Sequence, residues 1–367
     1  MIIRNVAAPG VTRLRRKYLS MLNSGEKLSL HALFKGAYPD IADYSSRYRP
    51  NINNSLLIDK VKRWATRHKI WLPNGEHYLT CATYLFPEAD YQRGIFAVEN
   101  CAVDYYLNET VGRDVFKNLP PQQQRDIECI IQRMANLPGQ FALDKDAAPI
   151  EVANYHMLRD IESTSPAQWF QEFLQMYSLH IGITHQDTSS LGLHRVPSVS
   201  EYIELRLHTS GMPHILLLIE YAGGQFLDWD WLASAGLDKE IRSMQLDVSL
   251  FGALSNDLFS FEKEVIDQLS DTNLVAVYAL NHPALTLLES IEQVAGIVQG
   301  HLAGYFASLD KVLAIVDALP ARDLDRQEHM HKYLDGVAQC VQASWIWQVY
   351  TKRYKRPVSL FEETVLA

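Results

Sequence analysis

Asn256-Asp257-Leu258-Phe259-Ser260-Phe261-Glu262-Lys263-Glu264 follows an apolar approach, Leu250-Phe251-Gly252-Ala253-Leu254, inside a stretch with helical periodicity. In a helix a spacing of four returns a side chain to nearly the same face. Asn256, Ser260 and Glu264 therefore fall within about 80° of arc. That face offers an amide oxygen, a hydroxyl and a carboxylate, all hard oxygen donors. The set suits Mg²⁺, which keeps several waters and takes one or two carboxylates together with substrate phosphates. A solvated helix face with a Glu–Lys pair is the plainer reading of such residues. The apolar approach and the full N-D-x-x-S-x-x-K-E spelling favour the metal site.

Outward from this segment the pattern stays helical. Apolar positions 57, 58, 61, 64 and 65 recur with the period of a helix, and similar spacing runs through 123–136, 166–180, 199–209, 242–270, 283–307 and 326–354. Turn-forming residues fall between these stretches: Pro73-Asn74-Gly75, Pro120-Pro121, Leu137-Pro138-Gly139 and Gly223-Gly224. Alternation of period two appears only weakly, at 214–220. No fixed repeat, low-complexity tract or Pro/Ser linker divides the chain. The expectation is one all-α domain of about ten to thirteen helices, long enough to bury a core or a deep pocket.

The 367 residues are 47% apolar and 21% charged, which excludes wholesale disorder. Lys plus Arg is 34 and Asp plus Glu is 43, a net charge of −9, which argues against non-specific nucleic-acid binding. Cys81, Cys101, Cys129 and Cys340 form no C-x-x-C pair, so neither a zinc site nor a disulfide framework is indicated, and a reduced, cytoplasmic setting fits best. The first 25 residues carry Arg4, Arg13, Arg15, Arg16 and Lys17 with no acid and no apolar run of secretory length; their composition is compatible with a transit peptide. The longest pure apolar run, Ile215 to Ile219, is far too short to span a bilayer. Dinucleotide, P-loop, H-E-x-x-H and G-x-S-x-G motifs are absent. His329 and His331 stand two apart, on different helix faces, and read as solvated.

The 256–264 segment resembles the second metal-binding motif of microbial class I terpene synthases, also called terpene cyclases. The resemblance spans roughly residues 40–356. It implies an all-α fold around a deep apolar pocket, with three Mg²⁺ ions (Mn²⁺ as the alternative) and a prenyl diphosphate at its mouth. It implies metal ligation by Asn256, Ser260 and Glu264, with Lys263 on the diphosphate. The family's acidic first motif corresponds to Val103-Asp104-Tyr105-Tyr106-Leu107-Asn108-Glu109, after a proline-containing turn at Tyr84-Leu85-Phe86-Pro87-Glu88-Ala89. Asp104 and Glu109 match metal-binding acids there. Tyr105 replaces the usual second aspartate, and Asn108 stands where an acid is common, a departure that bears on metal affinity. By helix geometry Asn108 lies about 40° from Asp104, and Glu109 about 140° away.

The family's diphosphate-sensing arginine matches Arg206, 50 residues before Asn256 and slightly farther than is usual. Arginine suits the role because its planar fork holds two phosphate oxygens at once. Thr209, Ser210 and Gly211 match the helix break that shifts on ligand binding. Arg353 and Tyr354 match the Arg-Tyr pair that closes on the diphosphate; a solvated basic end with Lys352, Lys355 and Arg356 is the alternative. Candidates for an aromatic wall are Phe96, Tyr105, Phe251, Trp345 and Trp347, each of which also suits a structural core. Ser249, Gly252 and Ala253 would set pocket volume.

The resemblance therefore implies a lyase that ionises a linear prenyl diphosphate, with farnesyl diphosphate expected, and cyclises the cation. Expected boundaries are an N-terminal extension at 1–40, the synthase domain at 41–356 and a C-terminal tail at 357–367. A homodimer is a family-level expectation. The alternatives are a chain-elongating prenyl transferase, whose paired D-D-x-x-D motifs are missing, and a protein that binds prenyl diphosphate without turning it over.

Overall fold

The computed structural model describes residues 9–36 and 39–366. Its described residues form seventeen α-helices and no strand. The chain begins with α1 (Pro9–Asn23), α2 (Leu30–Phe34) and α3 (Ile41–Ser45). Next come α4 (Asn54–Arg67), α5 (Glu76–Leu85), α6 (Tyr91–Thr110), the single turn α7 (Arg113–Phe116), α8 (Pro121–Ala135), α9 (Pro149–Ser163) and α10 (Ala167–Ile183). The later helices are α11 (Val199–Thr209), α12 (Met212–Gly223), α13 (Trp229–Ser234), α14 (Asp238–Phe261), α15 (Leu274–Asn281), α16 (Leu287–Asp317) and α17 (Leu324–Tyr350), and they interleave with the earlier ones, α17 packing on α5 and α12 on α6. The count exceeds ten to thirteen because several one- and two-turn helices are too short to show a period.

The apolar stretch 214–220 is helical, as part of α12, and not a strand. Leu216, Leu217, Leu218 and Ile219 are all buried, because α12 packs against α6, α10, α14 and α17 at once. A helix covered on every side has no polar stripe from which to read its period.

At the centre is α14, which packs against α11, α12, α15, α16 and α17. Phe251, Leu254, Leu258 and Phe261 are essentially fully buried. Each such side chain contributes roughly 1.5–3 kcal/mol by leaving water. Gly252 lets the neighbours approach: a Cβ there would lie 2.7 Å from Met212 Cε and 3.2 Å from Ser344 Oγ. Beyond Phe261 the α-helix gives way to a π-helical turn, Glu262–Asp267, where an unbroken α-helix was expected. Such turns widen a helix locally and recur at functional sites.

The described residues toward both chain ends pack onto the bundle. Tyr18 of α1 is buried and donates to Glu262 Oε1 at 2.6 Å. Leu360 N donates to the same oxygen at 2.7 Å, and Ser359 Oγ to Glu262 Oε2 at 2.5 Å. Glu363 accepts from Leu30 N and His31 N at 2.9 Å, capping the exposed amides of α2. Ser359, Leu360, Phe361 and Thr364 are buried. Both ends thus strap onto the π turn that carries Lys263 and Glu264.

Candidate functional site

Local rules place the site's residues. Ser198 opens α11 with a capping box to Glu201, and α11 carries Arg206 toward the core. Gly211 takes a left-handed backbone (φ 79°), and Pro213 in the first turn of α12 cannot extend the preceding helix. The break expected at Thr209, Ser210 and Gly211 therefore exists, with Ser210 as the cap of α11. Arg353 and Tyr354 sit on a 3₁₀ turn, Lys352–Tyr354, just past the end of α17.

These elements meet at one cavity of about 210 Å³. Asp104, Arg206, Asn256, Glu264, Arg353 and Tyr354 all border it, as do Thr209 and Ser210. Met212, Ile215, Leu218 and Ala253 supply apolar wall. A larger cleft of about 540 Å³, beyond Leu85 and Phe86, contains none of the candidate residues.

The 256–264 segment is densely bonded. Asn256 Oδ1 accepts from Arg206 Nη2 at 2.9 Å, and its amide donates to Gln348 Oε1 at 2.9 Å and Tyr354 OH at 2.7 Å. Asp257, 1% exposed, accepts from Arg206 Nε at 2.8 Å, Tyr202 OH at 2.6 Å and Leu274 N at 2.8 Å. The Asn273 amide donates to Asp257 O at 2.8 Å, Glu264 Oε2 at 3.0 Å and, more weakly, Ser260 Oγ at 3.4 Å. Ser260 is fully buried, behind the cavity wall.

The 104–109 segment is sparsely held. Asp104 Oδ2 lies 3.1 Å from His214 Nε2, and the Tyr177 hydroxyl is held against the same carboxylate. Tyr105 stacks on Tyr78 at 4.9 Å, and Arg353 lies over both rings at 5.0–5.1 Å. Glu109 faces the cations: Arg353 Nη1 is 2.6 Å and Lys263 Nζ 3.5 Å from its Oε1. Two adjacent positive charges give it an ion-pair position, where metal ligation was expected. Burial alone would raise the Glu109 pKa, but Arg353 and Lys263 outweigh it and hold the carboxyl below its ordinary range. Burial, with Arg353 close by, lowers the Lys263 pKa. Burial also depresses His180, beside His214, to about 4, which keeps it neutral at pH 7.

Of the five expected wall aromatics, Tyr105 and Trp347 border the cavity. Phe96, Phe251 and Trp345 are buried in the core; Trp345 packs on Phe34 and Phe259. Asp257, Tyr202, Asn273, His214 and Gln348 escaped the sequence reading. Asp257 lay inside the quoted motif and faces away from the ligand side, toward Arg206.

The residues present fit a divalent cation. They form an all-oxygen donor set, with Asp104, Asn256 and Glu264 bordering the cavity and the Ser260 hydroxyl buried behind them. No group of three or more His, Cys, Asp or Glu clusters among the described residues, so such a site draws on amide and hydroxyl donors as well.

An all-α bundle whose one mouth gathers such oxygens and cations above an apolar wall is the architecture of class I terpene synthases. Linalool/nerolidol synthase from Streptomyces clavuligerus, solved with 2-fluorogeranyl diphosphate, superposes with a TM-score of 0.66 over 82% of this chain and 100% of that one, at 16% identity. Germacradien-4-ol synthase from Streptomyces citricolor gives 0.67 over 82% and 95%, at 17% identity. The family model described as terpene synthase family 2, C-terminal metal binding, matches residues 110–303, just over half of the chain, and the chain belongs to the terpene synthase family. Pristinol synthase of Streptomyces pristinaespiralis is 28% identical over 232 residues; the match spans 59% of this chain and 59% of that protein. 10-epi-cubebol synthase of Sorangium cellulosum is 26% identical over 76% of this chain and 84% of that one. Terpene synthase 6 of Dictyostelium discoideum is 23% identical over 85% of each.

Proposed function

We propose that this chain is a Mg²⁺-dependent terpene cyclase acting on a linear prenyl diphosphate, with farnesyl diphosphate the best fit. It converts the substrate to a cyclic hydrocarbon or alcohol and diphosphate. The observation that carries this reading is the convergence of Asp104, Arg206, Asn256, Glu264, Arg353 and Tyr354 on one apolar-walled cavity.

Asp104, Asn256, Ser260 and Glu264 would hold the metal, as three ions by family pattern. When bound, Mg²⁺ neutralises charge on the diphosphate oxygens. Arg206, Lys263, Arg353 and Tyr354 donate to the same oxygens. As the allylic C–O bond breaks, its electron pair stays on the diphosphate and the hydrocarbon becomes a cation. The apolar wall excludes water, which would otherwise quench that cation. The ring faces of Tyr105 and Trp347 attract it, by about 0.5–2 kcal/mol each.

Before the ligand arrives, the cations are held by protein anions: Arg206 by Asp257, and Arg353 and Lys263 by Glu109. In this reading Glu109 is the exchangeable counter-ion that the diphosphate displaces. A shift of the Thr209–Gly211 break follows Arg206 onto the ligand. Residues 41–356 carry the chemistry, in the cytoplasm and as a homodimer. No helix among the described residues is long and apolar enough to cross a membrane. No observation favours the chain-elongating or non-catalytic alternatives.

The test is incubation with geranyl, farnesyl and geranylgeranyl diphosphates, with Mg²⁺ and with EDTA, read by gas chromatography and mass detection. A cyclic product from the farnesyl substrate, absent in EDTA, is expected. No cyclic product from any of the three would overturn the proposal.

A further inference from the structure

Behind Asp104 lies a buried polar cluster that the roles above leave unused. The His214 side chain is fully buried and its Nε2 lies 3.1 Å from Asp104 Oδ2. A carboxylate only accepts, so the imidazole donates from Nε2. The Tyr177 ring lies 4.9 Å from the imidazole, His180 5.1 Å and Phe173 6.1 Å. Tyr177 OH lies against the Asp104 carboxylate and the Asn100 amide, while His214 Nδ1 is buried without a hydrogen-bond partner. Asn100 stands one turn before Asp104 on α6, on the same face. Buried polar groups gathered around one carboxylate are costly in a core unless they hold that carboxylate for a purpose.

His214 is also joined to the helix break. It lies in the first turn of α12, three residues past Gly211. A Cβ on Gly211 would come within 2.9 Å of His214 Cε1 and 3.4 Å of His180 Cε1. The break and the imidazole are thus packed with no slack, and a movement of one displaces the other. Asp104 needs such a hold, because Tyr105 occupies the place where a second acid would share its work.

We propose that His214 is a positioning residue for Asp104: its Nε2–H fixes the carboxylate for the metal–diphosphate complex and ties it to the Thr209–Gly211 break. The inference rests on the reading of Asp104 as a metal ligand. Partners that orient a metal ligand typically carry 10- to 100-fold in affinity or activity.

The experiment is calorimetric titration of inorganic pyrophosphate, in Mg²⁺ and in EDTA, into wild type, H214F, H214Q, D104A and D104A/H214F. H214F keeps a ring against Tyr177 and Phe173 and removes the donor; H214L replaces it should H214F fail to fold. Wild type is expected to bind only with Mg²⁺, and H214F about 10- to 100-fold more weakly. H214Q, which retains an N–H donor, is expected to recover part of that loss. In the D104A background H214F is expected to cost nothing further, since its effect passes through Asp104. Unchanged binding by H214F overturns the proposal, and so does an equal loss with and without Asp104, the mark of a packing role. Absence of Mg²⁺-dependent binding by wild type itself overturns the metal reading, and this inference with it.

Discussion

The two oxygen-bearing segments at the cavity mouth are built in opposite ways. The 256–264 segment runs from the central helix α14 into the π turn, and its polar side chains are densely bonded: Asn256 to Arg206, Gln348 and Tyr354, Asp257 to Arg206 and Tyr202, and Glu264 to Asn273. The 104–109 segment offers one carboxylate held by His214 and Tyr177 from other helices, and a glutamate paired with two cations. The first is preorganised by its own neighbourhood. The second depends on groups brought from α12 and from the end of α17. Preorganisation is what makes a polar site effective in a dry pocket, so the two segments should fail differently when altered.

The largest losses should come from the bonded segment. Asn256→Ala and Glu264→Gln are each expected to lower kcat by about 100- to 1000-fold, with melting temperature held within a few degrees. Product formation near the wild-type rate by either variant would break the comparison at its stronger end. Arg206→Lys keeps the charge and loses the fork that spans Asp257 and Asn256. Charged hydrogen bonds are worth about 1.5–3 kcal/mol, so kcat/KM should fall by about 10- to 150-fold. A change under threefold would mean that Arg206 acts as a point charge only.

Glu109→Gln sharpens the contrast. As a counter-ion, its removal should change kcat by less than about tenfold and bring out pyrophosphate binding in EDTA that wild type lacks, because Arg353 and Lys263 are released. A loss as deep as that of Asn256→Ala would make Glu109 a metal ligand after all. Its pH signature is also signed. A carboxyl depressed in the folded state adds stability above its ordinary pKa of 4.5, and that stability is lost as pH falls through the lower folded value. Glu109→Gln should therefore flatten the acid limb of the melting curve below about pH 4.5.

The smallest effect lies away from both segments. Burial raises Glu220 on α12 to about 8. A carboxyl raised in this way binds its proton in the folded chain and loses it in the unfolded one between pH 4.5 and 8, so stability falls across that window. Melting temperature should drop from pH 5 to pH 8 in wild type and less in Glu220→Gln, with product profile unchanged. Equal slopes for the two would remove Glu220 from the account.

How much of this was legible in the sequence follows from distance along the chain. Asn256, Ser260 and Glu264 are a local pattern that spacing shows, yet Glu264 falls in the π turn and Ser260 is buried behind the cavity wall, so only Asn256 and Glu264 of the three border the cavity. Arg206, Arg353 and Tyr354 were found only through the family's order of landmarks, and the structure brings all three to the same cavity. His214 and Asp104 are 110 residues apart, and Asn256 and Gln348 are 92 apart; no local rule joins such pairs. The π turn was hidden for another reason: it leaves residue types unchanged and alters only the phase at which they face the core. Three of the expected wall aromatics went to the core because apolar character specifies burial, not which cavity is faced.

The double strap on Glu262 has a consequence for where a remote lesion is felt. Glu262 accepts from Tyr18 on α1 and from Ser359, Leu360 and Thr364 on the other strap. Cutting or displacing either strap leaves a buried carboxylate short of donors, a costly state in a core. The residues that bear that cost directly are Lys263 and Glu264, the next two along the turn. Damage far from the cavity in sequence is in this way reported at its mouth.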